Sequence, residues 1–171
     1  MNEPRRLLAV AAGFGRVGYA FFIDGVLCDW SVSRTAGTNP ARATARAEAW
    51  FKKLRPEIVV TERMGSHCRK GTRARAVIRA VADAAAKAQL YDVSVSRRRS
   101  YANKHAEAAS LAERFPELAP SLPRKRRPWD AEPRNMIYFE ALALAVAVLD
   151  GTAVAGKATP SRTDDGGAAG P

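Results

Sequence analysis

The sequence predicts an α/β fold: a mixed five-stranded sheet, with three antiparallel strands followed by two parallel ones, flanked by helices. Three observations carry this. The chain opens with three short apolar runs separated by glycine turns, it then alternates between helical and β-branched segments, and its longest helical segment repeats apolar residues at spacings of three and four.

The first run is Arg6 to Ala12, closed by the turn Gly13-Phe14-Gly15; the second is Val17 to Ile23. Asp24-Gly25 then forms a strong hairpin signal before the alternating run Val26 to Val32. Ala41 to Leu54 is rich in Ala, Arg and Glu and follows Thr38-Asn39-Pro40, a helix start with proline near its first turn. Pro56 stops that helix, and Glu57 to Glu62 is a β-branched run suited to a buried parallel strand. From Gly71 to Leu90, the residues Ala74, Val77, Ile78, Val81, Ala85 and Ala88 share one helical face. Asp92 to Ser96 gives a fifth strand, Tyr101 to Phe115 a helix ended by Pro116, and Pro133 to Leu149 a final helix after a basic, proline-containing loop.

With 171 residues, 47% of them hydrophobic, the chain suits one domain with a sizeable core, spanning residues 1–149. Residues 150–171 are rich in Gly, Ala, Thr, Ser and Pro and are expected to form a disordered tail. Net charge is +11, and residues 1–149 carry 26 basic against 14 acidic side chains, which points to a phosphate-bearing partner. No apolar run reaches membrane-spanning length and no signal-like start is present, so a cytoplasmic location is expected. Cys28, expected buried in a strand, and Cys68 stand 40 residues apart, which gives neither a disulfide framework nor a zinc-site spacing. His67 and His105 lack partners at ligand spacing, and no phosphate-cradling Gly-x-x-x-x-Gly-Lys motif occurs.

The predicted strand order is the ribonuclease H-like layout, in which strands one and four lie side by side and place Ala11 opposite Glu62 at one sheet end. Four segments then resemble the RuvC-like Holliday-junction resolvases: Leu7-Leu-Ala-Val-Ala-Ala-Gly13, Arg16-Val-Gly-Tyr-Ala20, Glu62, and Glu140-Ala-Leu-Ala-Leu-Ala145. The segment from Leu122 to Leu144, which contains Trp129, Glu132, Arg134 and Met136, looks like a stretch found in a divergent bacterial branch of that family. The resemblance implies a divalent-metal-dependent endonuclease (Mg²⁺ or Mn²⁺) acting on branched DNA, working as a homodimer. It implies metal-binding roles for Glu62 and Glu140 and a phosphate-contacting role for Lys104. Of the four acidic positions, the first falls at Ala11, a degenerate position, and another at Ile137.

Two-metal phosphodiester hydrolysis holds two ions about 4 Å apart and needs a carboxylate bridging both. Asp24 cannot supply it, since its turn lies roughly 20 Å from the Gly13 turn at the opposite sheet end, and Asp29 is two strand spacings, or roughly 10 Å, from the first strand. Asp130 and Glu132 precede the last helix, where either completes a three-carboxylate site with Glu62 and Glu140 or simply complements the helix dipole. Glu140 stands in an apolar helix, where a charge must be paired or face a cleft.

The basic side chains form three clusters at connections: Arg63, Arg69, Lys70, Arg73, Arg75 and Arg79 after strand four; Arg97, Arg98 and Arg99 after strand five; and Arg124, Lys125, Arg126 and Arg127 before the last helix. The first two follow the carboxyl ends of parallel strands and are expected to line a nucleic-acid-binding surface near Glu62. Trp30 and Trp50 read as core, whereas Trp129 beside a basic run reads as a base or sugar contact. Two functional readings follow from the residues: a resolvase-type nuclease using Glu62, Glu140 and Asp130 or Glu132, and a catalytically inactive DNA-binding protein that recognises phosphates and shape.

Overall fold

The computed structural model describes residues 5–66, 68–96, 103–125 and 127–151, together with the backbone of 156–157. Strands β1 (Arg6–Gly13), β2 (Arg16–Ile23) and β3 (Val26–Ser33) form an antiparallel meander, after which helix α1 (Pro40–Leu54) crosses to strand β4 (Ile58–Glu62). Helix α2 (Thr72–Lys87) leads to strand β5 (Tyr91–Val95), and helix α3 (Lys104–Arg114), a 3₁₀ helix at Pro116–Ser121 and helix α4 (Met136–Leu149) complete the body. The strand order is β3-β2-β1-β4-β5, with β1, β4 and β5 parallel. Among the described residues, no helix is long and apolar enough to cross a membrane.

The alternation of β1 decides how the layers assemble. Leu7, Ala9 and Ala11 face α3 and α4, packing with Leu111, Phe139, Leu142 and Leu144, while Leu8, Val10 and Ala12 face α1 and α2 with Trp50, Val77 and Val81. Small residues in β1 let both helical layers approach a strand buried on both sides. Helix α1 starts where Asn39 Oδ1 accepts from the Arg42 amide at 2.9 Å, and it ends at Arg55 in the left-handed region (φ 48°) before Pro56.

Three local features differ from the sequence expectation. Cys28 is exposed, because the β2–β3 register shifts between Phe21 and Phe22 and leaves Cys28 as the extra residue of a bulge. The proline-containing segment after α3 winds into a 3₁₀ helix that buries Leu118. Gly156–Lys157, assigned to the tail, pair antiparallel with Ser94 and Val93 as a sixth strand, β6; strand addition uses backbone groups and does not require apolar side chains.

Candidate functional site

Glu62 closes β4 and, continuing the β1–β4 register in which Leu7, Leu8 and Ala9 pair with Ile58, Val59 and Val60, lies level with Ala11. Helix α4 crosses the same sheet end and brings Glu140, only 5% exposed, over it. Lys70 enters on the loop between β4 and α2. Its Nζ donates to Ala12 O at 2.6 Å and to Glu140 Oε2 at 2.9 Å, and lies 3.5 Å from Glu62 Oε2. Lys104 Nζ donates to the other oxygen of Glu140 (2.9 Å) and to Glu132 Oε1 (2.8 Å). The result is a chain of alternating charge, Glu62–Lys70–Glu140–Lys104–Glu132, drawn from five separate segments.

Local structure fixes both lysines. Lys104 is the first residue of α3, whose start is capped by Asn103 Oδ1 accepting from the Ala106 amide at 2.9 Å. A cation there opposes the helix dipole, so its placement depends on the two carboxylates. Burial works against the Lys104 charge, but Glu140 and Glu132 outweigh it and hold the ammonium above the ordinary lysine range. Lys70 sits in a loop braced by Arg75, whose guanidinium donates to the carbonyls of Lys70 (3.1 Å), Cys68 (2.7 Å) and Gly65 (3.4 Å).

Burial and the Asp29 carboxylate push the Tyr19 hydroxyl up as well. Both groups hold their protons more tightly when folded, so their stabilisation is complete below an unfolded value of about 10 and is lost as pH rises through the folded values. Thermal melts from pH 8 to 12 are expected to show stability falling from about pH 10 upward. The Lys104→Met variant should show a shallower alkaline loss.

Around this network lies a cleft of about 1090 Å³, lined by Arg16, Arg69, Arg73, Phe14, Glu107 and the inner residues Glu62, Lys70, Lys104 and Glu140. Arg69 and Arg73 thus reach the cleft, whereas Arg75 is used to brace the loop. Arg63 and Arg79 are absent from the lining, and Arg124, Lys125 and Arg127 are exposed on the loop before α4. Arg97, Arg98, Arg99, Arg126 and His67 lie outside the described residues. Asp130 is exposed in a turn, where its Oδ2 accepts from the Arg127 amide at 3.0 Å, apart from the carboxylate network that takes up Glu132. Trp129 is exposed beneath the Arg127 guanidinium, which lies 5.9 Å from its ring centre. His105 bonds the Pro123 carbonyl and so ties α3 to the following loop.

Sequence reasoning missed a second basic group. Burial, together with the nearby Arg134 and Arg34 guanidiniums, pushes the Arg16 guanidinium below its ordinary range. These three come from the start of β2, the end of β3 and the approach to α4, so no local run of charge announces them. In the sequence, Phe14 reads only as a turn residue. It is 76% exposed at the cleft and sits at φ 52°, with Gly15 at φ 74°. A turn with two positive φ values favours Asn-Gly or Asp-Gly, which the distal hairpin uses at Asp24-Gly25. A bulky aromatic in that conformation is strained and is not held there by burial.

The donor set does not fit a two-metal centre. Ala11 is buried and pairs with Gly18, and a Cβ at Gly18 would lie 3.1 Å from Ile137 Cγ1 and Cγ2. Glycine therefore leaves space for Ile137 to pack onto β2, and Ala11 and Ile137, at two of the four family positions, both belong to the apolar core on that face. The other two, Glu62 and Glu140, already share the Lys70 ammonium.

No protein-family model and no curated protein sequence matches the chain. Solved structures do. A Thermus thermophilus RuvC structure superposes with a TM-score of 0.59 at 18% identity, covering 88% of this chain and 99% of RuvC. T. thermophilus RuvC in complex with Holliday junction substrate gives 0.58 at 20% identity, with the same 88% and 99% coverage. The yeast mitochondrial Holliday junction resolvase Ydc2 gives 0.50 at 13% identity, covering 82% of this chain and 77% of Ydc2. The chain has the ribonuclease H-like fold of the RuvC-like resolvases.

Proposed function

We propose that this protein binds branched or otherwise distorted DNA, receiving the sugar–phosphate backbone in the cleft above Glu62 and Glu140. The observation that carries this reading is the convergence of Arg16 from the start of β2 with Arg69 and Arg73 from the β4–α2 connection on one open cleft at the carboxyl ends of the parallel strands. Guanidiniums so placed contact phosphates without reading sequence, and specificity then comes from the shape of the nucleic acid. The RuvC fold supports the choice of a branched partner, since one structural neighbour is a RuvC bound to Holliday junction substrate. The recognition requires no resident metal ion.

A second reading, a divalent-metal-dependent endonuclease of the resolvase type, is favoured by one observation: Glu62, Glu132 and Glu140 are gathered into a single network at that cleft. A labelled four-way junction, matched duplex and single strand decide between the two readings when tested in EDTA, Mg²⁺ and Mn²⁺. Junction binding that persists in EDTA without nicking supports the binding protein. Metal-dependent nicking that disappears in Glu62→Ala supports the nuclease, and equal, weak affinity for all three substrates overturns both.

Phe14 supplies the specificity test. An exposed aromatic at the mouth of a phosphate-binding cleft is suited to stack on an unpaired base, an interaction worth about 1–3 kcal/mol. Phe14→Asn replaces it with a residue that tolerates the left-handed conformation. The variant is expected to melt at the same or a higher temperature than wild type while losing about tenfold in junction affinity, with duplex affinity unchanged. Fluorescence anisotropy and a thermal melt on the same sample check both halves.

A further inference from the structure

We propose that Lys70 is the resident cation of this site: its ammonium takes the place of a divalent ion between Glu62 and Glu140, and its removal opens a divalent-cation site there. The inference concerns the free protein and does not rest on the DNA-binding reading.

The surroundings of Lys70 are those of a bound cation. Its ammonium donates to the Ala12 carbonyl and to one oxygen of Glu140, and pairs with one oxygen of Glu62 at 3.5 Å. The side chains are 15%, 6% and 12% exposed for Lys70, Glu140 and Glu62, so little solvent is available to stabilise two neighbouring carboxylates without a cation. A surface lysine pays side-chain entropy to hold one partner, whereas here Arg75 fixes the loop through the carbonyl of Lys70 itself and that of Cys68 before it.

The charges of the network point the same way. Three carboxylates, Glu62, Glu132 and Glu140, are bridged by the two ammoniums of Lys70 and Lys104, so losing the Lys70 ammonium takes the net charge from −1 to −2. A divalent ion entering beside Lys70 meets that ammonium's repulsion and finds no further acidic ligand at Ala11 or Ile137. Once the ammonium is gone, the same two carboxylates and the Ala12 carbonyl are a set of hard oxygen donors of the type that binds Mg²⁺ or Mn²⁺.

The test titrates Mn²⁺ into the wild-type chain and into Lys70→Ala, with bound metal counted by electron paramagnetic resonance and stability followed by thermal melts. Wild type is expected to bind no Mn²⁺ saturably below millimolar concentrations and to melt at the same temperature with or without it. Lys70→Ala is expected to melt lower in EDTA and to recover with either Mn²⁺ or propylammonium. It should bind one Mn²⁺ at least about tenfold more tightly than wild type, a difference that Glu140→Gln abolishes. Lys70→Met, which keeps the length of the stem, carries the same titration if the alanine variant does not fold. One Mn²⁺ bound by wild type as tightly as by the variant overturns the proposal, as does a variant as stable as wild type in EDTA that binds no Mn²⁺.

Discussion

Replacing Glu140 with alanine is expected to destabilise the fold by about 3 kcal/mol, the cost of leaving buried charge without its partner. For a chain of this size that corresponds to a melting temperature lower by about 6–12 °C. Glu140 is the only residue of the network that bonds two lysines, one at each carboxylate oxygen. Its loss strands Lys70 among the Ala12 carbonyl and Glu62 and leaves Lys104 with Glu132 alone at a helix start that disfavours cations. Glu62→Ala removes a single contact of 3.5 Å and is expected to cost less. The double variant Lys70→Met/Glu140→Leu should recover part of the loss, because replacing both members of a buried pair with apolar groups removes the desolvation penalty. Chemical denaturation of the four proteins measures this ordering, and a Glu62→Ala cost equal to or larger than that of Glu140→Ala would sink the two-lysine account.

The sequence made the architecture legible because its periodicities are local. The three opening runs, the Asp24-Gly25 turn and the three-and-four spacing of α2 each declare an element within about ten residues, and strand order follows once the connections are known to be short. Glu62 and Glu140 stood out for the same reason, as acids in otherwise apolar elements. What joins them did not. Lys70 lies 70 residues from Glu140 in a loop without periodicity, and as one cation in a basic run it resembled its neighbours. Arg16, Arg34 and Arg134 are isolated in the sequence and meet only when β2, β3 and the approach to α4 are assembled. The reason for Ile137 is likewise invisible until Gly18 is seen beneath it. Cys28 misled because strand alternation is broken by a bulge, and a bulge leaves no mark that a single sequence displays.

The largest functional effect is expected from removing the positive charge of the cleft while leaving its acidic floor intact. The triple variant Arg16→Gln/Arg69→Gln/Arg73→Gln is expected to lose about a hundredfold in junction affinity at moderate salt, taking roughly 1 kcal/mol for each lost charge-assisted phosphate contact. The slope of log affinity against log salt should become shallower by about 2.7, the counterions released by three phosphate contacts. Stability is expected to hold, since Arg16 lies near the like-charged guanidiniums of Arg134 and Arg34 and none of the three substituted side chains belongs to the Glu62–Lys70–Glu140–Lys104–Glu132 network. The same substitutions on the exposed loop, at Arg124, Lys125 and Arg127, serve as a control of equal charge. A cleft that receives DNA makes the first set far more costly than the second. Equal losses from both would mean that affinity reflects net charge alone and that the cleft has no special part in binding.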